Sequence, residues 1–307
     1  MQNAVKAMIM PNFLIIGAAK SGTTTLYDWL NRHPQIYMSP VKETNFFALE
    51  NVNPDIYKDT VHEGYAKDFK TTLTEYREQF IGVNNEVAIG EASPSYLYYP
   101  QAAAKIKHYL PDVKLIAVLR NPVERAYSNF VHHLRDNLET TTDFSEALEL
   151  EKERIESNWW WGFHYLNAGF YSVQLKRYWD IFDRSQIKIY LFEDLINNPD
   201  ATARDICQFL RVDDSWEIYK GDRQNVTGVP KNRFFYNFLT RKNILKEPLK
   251  LLVPPTIRDR LVTKLKNKTL QKPQLSPLIR SQLIEAYREE IEQLQDLINR
   301  DLSGWLE

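Results

Sequence analysis

The stretch that most constrains this chain is FLIIGAAKSGTTTLYDWL, which begins at Phe13. Aliphatic residues run into Gly17, and a lysine, a second glycine, three threonines and a segment with helical spacing follow. This order predicts a buried strand, a glycine loop and a helix, an arrangement in which backbone N–H groups and a helix N-terminus can hold a phosphate-like anion. A tight turn without a ligand is the alternative, but hydroxyl residues crowd the loop and favour an anion site. They are Ser21, Thr23, Thr24 and Thr25.

The loop differs from the nucleoside-triphosphate motif G-x-x-x-x-G-K-[ST], in which the lysine follows the second glycine. Gly17 and Gly22 occupy the two glycine positions, but Thr23 stands at the lysine position. The lysine lies three places earlier, at Lys20. The ligand is therefore expected to be an anion other than an ordinary triphosphate.

Composition is that of an ordinary soluble globular protein. The 307 residues contain 39 Lys and Arg against 40 Asp and Glu. The net charge is therefore close to zero, and no overall electrostatic attraction favours binding to nucleic acid or to an anionic membrane. No apolar run reaches the roughly 18 residues that a membrane span needs. The single cysteine, Cys207, cannot form an internal disulfide and fits a reducing compartment.

The N-terminal segment superficially resembles a short signal peptide, because a lysine precedes an apolar run. Pro11 and Asn12 interrupt that run, and it ends inside the glycine loop, so cleavage there would destroy the motif. We interpret the segment as part of the fold and expect a cytoplasmic protein.

Further apolar, β-branched segments predict buried parallel strands at 113–120, 187–195 and 86–93, in addition to 13–18. Helical patterns lie at 24–32, 101–109, 145–157 and 170–182. Strands that alternate with helices indicate an α/β fold with a parallel sheet covered on both faces.

The strand at 113–120 ends at Arg120 and runs into a well-specified helix start. Asn121 is a capping residue, Pro122 suits the first turn, and Glu124 completes a capping box. Ligands of open α/β sheets bind at this carboxyl edge. A triphosphate site normally has an acidic metal ligand on a neighbouring strand, so a cation in its place indicates a second anionic group held by protein cations.

Prolines and basic residues break the sequence between 221 and 277 into loops and short helices. A long amphipathic helix is then predicted, with Ser276 as its cap and Pro277 in its first turn. We expect one domain over 1–307, with a nucleotide-binding core near 11–215 and a loop-rich, helical C-terminal cover near 216–307.

Several stretches resemble the sulfotransferases that use 3′-phosphoadenosine 5′-phosphosulfate (PAPS), and in particular bacterial members similar to the heparan-sulfate type domain. GAAKSGTTTL resembles the family's 5′-phosphosulfate loop, and LIAVLRNPVERAYSNF resembles its 3′-phosphate motif. VKETNFF is similar to the acidic segment of the heparan-sulfate branch, and AGFYSVQLKRYW and DLSGWLE resemble segments of bacterial members. The resemblance covers most of the chain and implies a P-loop-like central parallel β-sheet flanked by helices on both faces.

This resemblance implies a role for each matching residue. Lys20 would contact the sulfate-bridging oxygen, and Glu43 would be the general base for an acceptor hydroxyl or amine. Arg120 and Ser128 would hold the 3′-phosphate, which distinguishes PAPS from ATP. The 5′-phosphate would be bound by Ser21, Gly22, Thr23 and Thr24. Transfer would be direct and in line without a metal, leaving 3′,5′-ADP (PAP) as product.

The sequence departs from the branch in two places. Ala92 stands where many heparan-sulfate type enzymes have a lysine, and Lys42 is a candidate to compensate. The disulfide-bounded loop of secreted members cannot form with one cysteine. NVTGVPKNRFF is a candidate to close over the nucleotide instead, with Lys231 or Arg233 near a phosphate, although an ordinary solvated basic loop is the alternative.

Other conspicuous residues are expected to be structural. His132 and His133 point about 100° apart on a helix, so they cannot share a metal, and surface or packing roles are predicted. Core packing is favoured over an exposed acceptor wall for the tryptophans at 159–161, and His164 is a weaker candidate for a second acid or base.

Two alternatives stay open at this point. The first is a nucleotide or small-molecule kinase with a degenerate P-loop, which Mg²⁺-dependent ATP binding would favour. The second is a nucleotide-binding module that has lost catalysis. The motifs do not distinguish a saccharide, lipid or small-metabolite acceptor, O- from N-sulfation, or one oligomeric state from another.

Overall fold

A computed structural model describes residues 9–57, 63–216, 229–230, 270–271 and 273–307. The predictions for Lys231 and Arg233 therefore lie outside the described residues.

A parallel sheet of five strands lies at the centre of the described fold. The strands are β1 (Phe13–Gly17), β2 (Ile36–Met38), β3 (Ala88–Ala92), β4 (Lys114–Leu119) and β5 (Ile187–Leu191). Their order is β2-β3-β1-β4-β5, and every neighbouring pair is parallel. Because β1 and β4 are neighbours, the glycine loop and Arg120 meet at the same carboxyl edge.

Helices cover both faces of this sheet. They are α1 (Thr23–Leu30), α2 (Phe46–Leu49), α3 (Glu63–Ala66), α4 (Leu73–Glu78), α5 (Ser95–Tyr98), α6 (Ala102–Tyr109), α7 (Pro122–Arg135), α8 (Phe144–Glu149), α9 (Glu151–Glu156), α10 (Tyr171–Trp179), α11 (Phe192–Asn197), α12 (Pro199–Leu210) and α13 (Pro277–Ile298). A short antiparallel pair also joins Val229–Pro230 to Leu270–Gln271.

The two faces form separate apolar clusters. Along β1, Leu14 and Ile16 belong to the cluster beneath α6, α7, α10 and α13, whereas Phe13 and Ile15 belong to the cluster beneath α1 and α12. Both faces of the strand are buried, which explains why its sequence is continuously apolar rather than alternating. The predicted α/β class, with a parallel sheet between helical layers, is confirmed.

Besides shifts of a few residues at element ends, three larger differences separate the predicted elements from the structure. The segment predicted as a strand over 187–195 changes at Leu191 into α11, whose Asp194 carboxylate accepts a hydrogen bond from the Leu191 N–H at 2.8 Å. The helix predicted over 145–157 divides at Leu150 into α8 and α9. The short edge strand β2 was not predicted.

Asn121 caps α7 as expected, because its Oδ1 accepts from the N–H groups of Val123 and Glu124 at 3.0 and 3.3 Å. The Glu124 side chain does not complete a capping box and instead lies 3.7 Å from Arg120 Nη2 and contacts Arg280. Ser276 precedes α13 but makes no side-chain cap hydrogen bond, so that part of its predicted role is wrong.

Candidate active site

The glycine loop connects β1 to α1 and has the backbone that its glycines allow. A Cβ on Gly17 would lie 2.6 Å from the Cβ of Leu97, so a larger residue cannot be placed there without movement. Gly22 has a φ of 97° and is the N-cap of α1, and Lys20 is also left-handed with a φ of 66°. No side chain caps the start of α1, so the positive end of this helix is available to an anion.

Hydroxyl groups line the loop at different depths. The Ser21 side chain is fully buried, and its Oγ lies beside the Tyr171 hydroxyl without a hydrogen bond of good geometry in the described structure. A buried hydroxyl without a well-aligned hydrogen bond is costly, which fits a place reserved for a ligand oxygen. Thr23 is buried and Thr24 half-buried, whereas Thr25 is exposed on the far side of the helix start.

Arg120 joins the second motif to the first. Its Nη1 donates a hydrogen bond to the carbonyl oxygen of Lys20 at 3.1 Å, and its guanidinium stacks on the Phe192 ring at 4.8 Å. Burial lowers the pKa of Arg120, but the neighbouring Glu124 carboxylate opposes this effect. Ser128 is buried two turns along α7 from Arg120. The structure thus brings the two predicted phosphate-binding motifs to one place.

Lys20 is half-buried among charged side chains. Burial, followed by the positive charge of Arg135, lowers the pKa of Lys20 to about 8, and the carboxylates of Asp136 and Glu43 oppose this shift. Lys42 adds a smaller lowering effect. These residues come from the loop after β2 and from the end of α7, so both elements face the lysine.

Glu43, the residue that the family resemblance suggests as the base, lies in this charged group. It has a left-handed φ of 67°, its N–H donates to the Ala92 carbonyl at 2.9 Å, and its carboxylate is in contact with Lys42 Nζ. The Glu43 side chain is 46% exposed, whereas that of Lys42 is 21% exposed. A carboxylate that is open to solvent and faces a lysine can accept a proton from an incoming group.

His132 belongs to the same group, a neighbourhood that the sequence analysis did not predict. Burial and the charge of Lys20 lower the pKa of His132 strongly, and its Nδ1 lies 2.6 Å from Arg135 Nη2. Ser128, His132 and Arg135 follow one another at helical spacing along one face of α7, and that spacing was the signal that could have revealed them. His133 does pack as predicted, stacking on Phe163 at 4.3 Å.

The tryptophan segment lies in the core. Trp160 and Trp161 are each 7% exposed, and the Trp161 ring stacks on Tyr98 at 5.5 Å. Burial lowers the pKa of His164 to about 4, and its Nδ1 is 2.7 Å from the Tyr98 hydroxyl. Packing accounts for the two buried tryptophans, and an acid or base role for His164 stays a hypothesis.

The described residues contain neither a metal-binding cluster nor a membrane-spanning helix. In residues 9–57, 63–216, 229–230, 270–271 and 273–307, no group of three or more His, Cys, Asp or Glu side chains is placed to hold a metal ion. Within the same part of the chain, no helix has both the length and the apolar character of a membrane span.

Comparison with known proteins places this geometry in a family. Residues 10–226 match the family described as "Sulfotransferase domain". A sulfotransferase from Alicyclobacillus acidocaldarius has a similar structure, with a TM-score of 0.75 and 32% sequence identity over 97% of this chain and 100% of that one.

Relatives among curated proteins match only in part. Carbohydrate sulfotransferase 15 of Homo sapiens is 27% identical over 247 residues, which is 66% of this chain and 44% of that protein. A bifunctional heparan sulfate N-deacetylase/N-sulfotransferase of Mus musculus is 26% identical over 213 residues, 66% of this chain and 22% of that protein. The chain thus spans less than half the length of these relatives. The match to the family over residues 10–226, together with the two joined motifs, shows that the chain belongs to the sulfotransferase domain family.

Proposed function

We propose that this chain moves a sulfuryl group from PAPS to an acceptor hydroxyl or amine by direct in-line transfer. One observation carries the proposal: the Arg120 guanidinium is hydrogen-bonded to the Lys20 carbonyl at 3.1 Å. A cation suited to a 3′-phosphate therefore lies beside a loop suited to a 5′-phosphosulfate. Membership of the sulfotransferase family supports the same assignment over the kinase alternative.

The nucleotide-binding residues fit a bisphosphorylated adenosine. The 5′-phosphate would accept hydrogen bonds from the N-terminus of α1 and from the hydroxyls of Ser21, Thr23 and Thr24. The Ser21 hydroxyl, which has no hydrogen bond of good geometry in the described structure, supports this placement. The 3′-phosphate would be held by Arg120, whose fork of N–H groups suits phosphate oxygens, and by Ser128.

The chemical step requires a base on one side of the sulfur and cations on the other. Glu43 would take the proton of the acceptor as the acceptor oxygen or nitrogen bonds to sulfur. The bond between sulfur and the bridging oxygen breaks, and its electron pair stays on the 5′-phosphate of PAP. Lys20 and the positive end of α1 would stabilise that charge, as cations do for the similar phosphoryl transfer. These groups supply the neutralisation themselves, so the proposal needs no metal ion.

A saccharide is the acceptor that we propose first. Similar proteins are named as sulfotransferases of carbohydrates and of heparan sulfate. A hydroxyl or a free amine on a sugar would both suit Glu43 as the base. A lipid or small metabolite is the class to examine next.

A radiolabel assay tests the proposal. The purified protein is incubated with PAPS carrying labelled sulfur and with chemically desulfated heparan sulfate or desulfated chondroitin. We expect acceptor-stimulated formation of PAP and label in one of the polymers, unaffected by EDTA. Binding of PAPS without transfer to any acceptor would favour a non-catalytic module, and phosphoryl transfer from Mg²⁺-ATP would favour a kinase.

A further inference from the structure

Below the loop that carries Glu43 lies a buried carboxyl group that the proposed mechanism does not use. Glu91, in β3, is fully buried, and it shares its pocket with hydroxyl groups from three elements. Ser93 Oγ donates to Glu91 Oε2 at 2.8 Å, and the Tyr76 hydroxyl donates to Oε1 at 3.4 Å. Tyr96 and Thr44 also hydrogen-bond in this cluster, with their hydroxyl oxygens 3.2 Å apart.

The Ser93 hydroxyl links this carboxyl group to the turn after Glu43. While Ser93 Oγ donates to Glu91, it accepts a hydrogen bond from the backbone N–H of Asn45 at 3.1 Å. Asn45 in turn donates through Nδ2 to the Glu43 carbonyl at 2.6 Å. An unbroken hydrogen-bond path therefore runs from the Glu91 carboxyl group to the Glu43 backbone.

The backbone that this path supports is unusual. Glu43 and Asn45 have φ values of 67° and 56°, a left-handed conformation that costs free energy in residues other than glycine. Such a turn persists only when its surroundings hold it. Three of the holding contacts come from one short segment, 91–95: the Ala92 carbonyl accepts from the Glu43 N–H, and the Ser93 and Ser95 hydroxyls contact Asn45. The Lys70 N–H adds a hydrogen bond to the Thr44 carbonyl at 2.8 Å.

From this geometry we infer that Glu91 is a positioning residue for Glu43, acting through the Ser93 hydroxyl and Asn45 to hold the turn that presents the Glu43 carboxylate. The inference rests on the proposed role of Glu43 as the base. Burial raises the pKa of Glu91 to about 7, and hydrogen bonds from Tyr96, Ser93, Thr44 and Tyr76 counter this shift. The titratable groups that face it are Tyr76 from α4 and Tyr96 from α5.

The test compares Glu91→Gln in the wild-type chain and in a Glu43→Gln chain. PAP formation from PAPS is measured with chemically desulfated heparan sulfate as the acceptor, and PAP affinity is measured by calorimetry. A misplacement of about 1 Å costs about 10²-fold in rate, so Glu91→Gln should lower kcat by about 10- to 100-fold with unchanged PAP affinity. In the Glu43→Gln chain the same change should alter kcat by less than about twofold, because the side chain that it positions is gone.

Two further variants separate positioning from folding. Ser93→Ala removes the link and should reproduce the loss of kcat even if Glu91→Gln fails to fold. Tyr76→Phe removes a hydrogen bond to Glu91 on the side away from the turn and should leave kcat unchanged. Thermal melts of all variants show which of them are folded.

The outcomes distinguish this inference from the proposed function. Equal loss of kcat from Glu91→Gln in both backgrounds, or no loss from Glu91→Gln and Ser93→Ala, would overturn the positioning role while PAPS-dependent transfer stands. A Glu43→Gln chain with wild-type turnover would instead overturn the base assignment, and the role of Glu91 with it.

Discussion

The side chain of Arg120 donates a hydrogen bond to the backbone carbonyl of Lys20 across 3.1 Å. The two residues are a hundred positions apart in the sequence. They come together because each follows the carboxyl end of one of two neighbouring strands, β1 and β4. The Arg120 guanidinium, at the end of β4, is thereby fixed against the backbone of the glycine loop. The following predictions depend on this arrangement and on the charged groups around it.

Lys20 makes PAP binding dependent on pH. The pKa of Lys20 is lowered to about 8 without ligand, and a phosphate beside it would raise that pKa. Binding above pH 8 should therefore take up a proton, and PAP affinity should fall as pH rises beyond 8. Calorimetry at pH 8.5 in two buffers of different ionisation enthalpy measures this uptake. Lys20→Arg, which stays charged, should abolish it, and a wild-type chain without proton uptake would contradict the lysine's place beside a phosphate.

Glu43→Gln should separate chemistry from nucleotide binding. Removal of a general base costs roughly 10²–10⁴-fold in rate, so kcat should fall within that range. The side chain is 46% exposed, and the proposed mechanism assigns it to the acceptor, so PAP affinity should stay the same. Steady-state kinetics with PAPS and calorimetry with PAP check the two halves of the prediction. A parallel loss of PAP affinity would assign Glu43 to the nucleotide instead.

Lys42 should support turnover through its charge. Its Nζ contacts the Glu43 carboxylate, and the Glu43 N–H donates to the carbonyl of Ala92, the position where the family resemblance leads us to expect a lysine. Lys42→Met should lower kcat by up to about 10²-fold, the loss typical of one electrostatic contact at a reacting centre. Lys42→Arg should retain most of the rate. Wild-type kcat in Lys42→Met would mean that this lysine does not compensate for Ala92.

Gly90 should be intolerant of any side chain. A Cβ at this position in β3 would lie 2.2 Å from the Phe13 ring, and overpacking of a core costs about 1–3 kcal/mol. Gly64→Ala in α3 is the matched control, because nothing lies within 4 Å of its added Cβ. Chemical denaturation should show a lower free energy of unfolding for Gly90→Ala and no loss for Gly64→Ala. Equal stability of the two variants would contradict the packing of β1 against β3.

The longer strands of the parallel sheet could be predicted from the sequence, and their burial explains why. Strands β1 and β4 are buried on both faces, so their sequences are continuous apolar runs. Such runs differ from the three- to four-residue spacing of apolar residues in surface helices. The three residues of β2, Ile36–Met38, are too few to show any period, and only their pairing with β3 makes them a strand. Strand β5 ends at Leu191, before the predicted residue 195, because the Asp194 carboxylate accepts from the Leu191 N–H and favours the start of α11.

The residues of the candidate site that belong to a local sequence motif could be predicted. Lys20 and Arg120 stand at strand ends, where position alone indicates function. His132 and Arg135 were missed because their approach to Lys20 depends on how α7 lies over the loop, which no local pattern records. Glu91 was missed because a carboxyl group in a strand reveals its burial only when Tyr76 and Tyr96 close over it.

The most direct test of the account is calorimetric titration of the wild-type chain and of Arg120→Ala with PAP and with 5′-AMP. Hydrogen bonds to a charged group contribute about 1.5–3 kcal/mol, so wild type should bind PAP about 10- to 150-fold more tightly than 5′-AMP. Arg120→Ala should lose most of that difference, because only Ser128 then remains for the 3′-phosphate, while it keeps its affinity for 5′-AMP. Equal affinity of the wild-type chain for the two nucleotides, or a preference for Mg²⁺-ATP, would contradict the assignment of Arg120 to a 3′-phosphate.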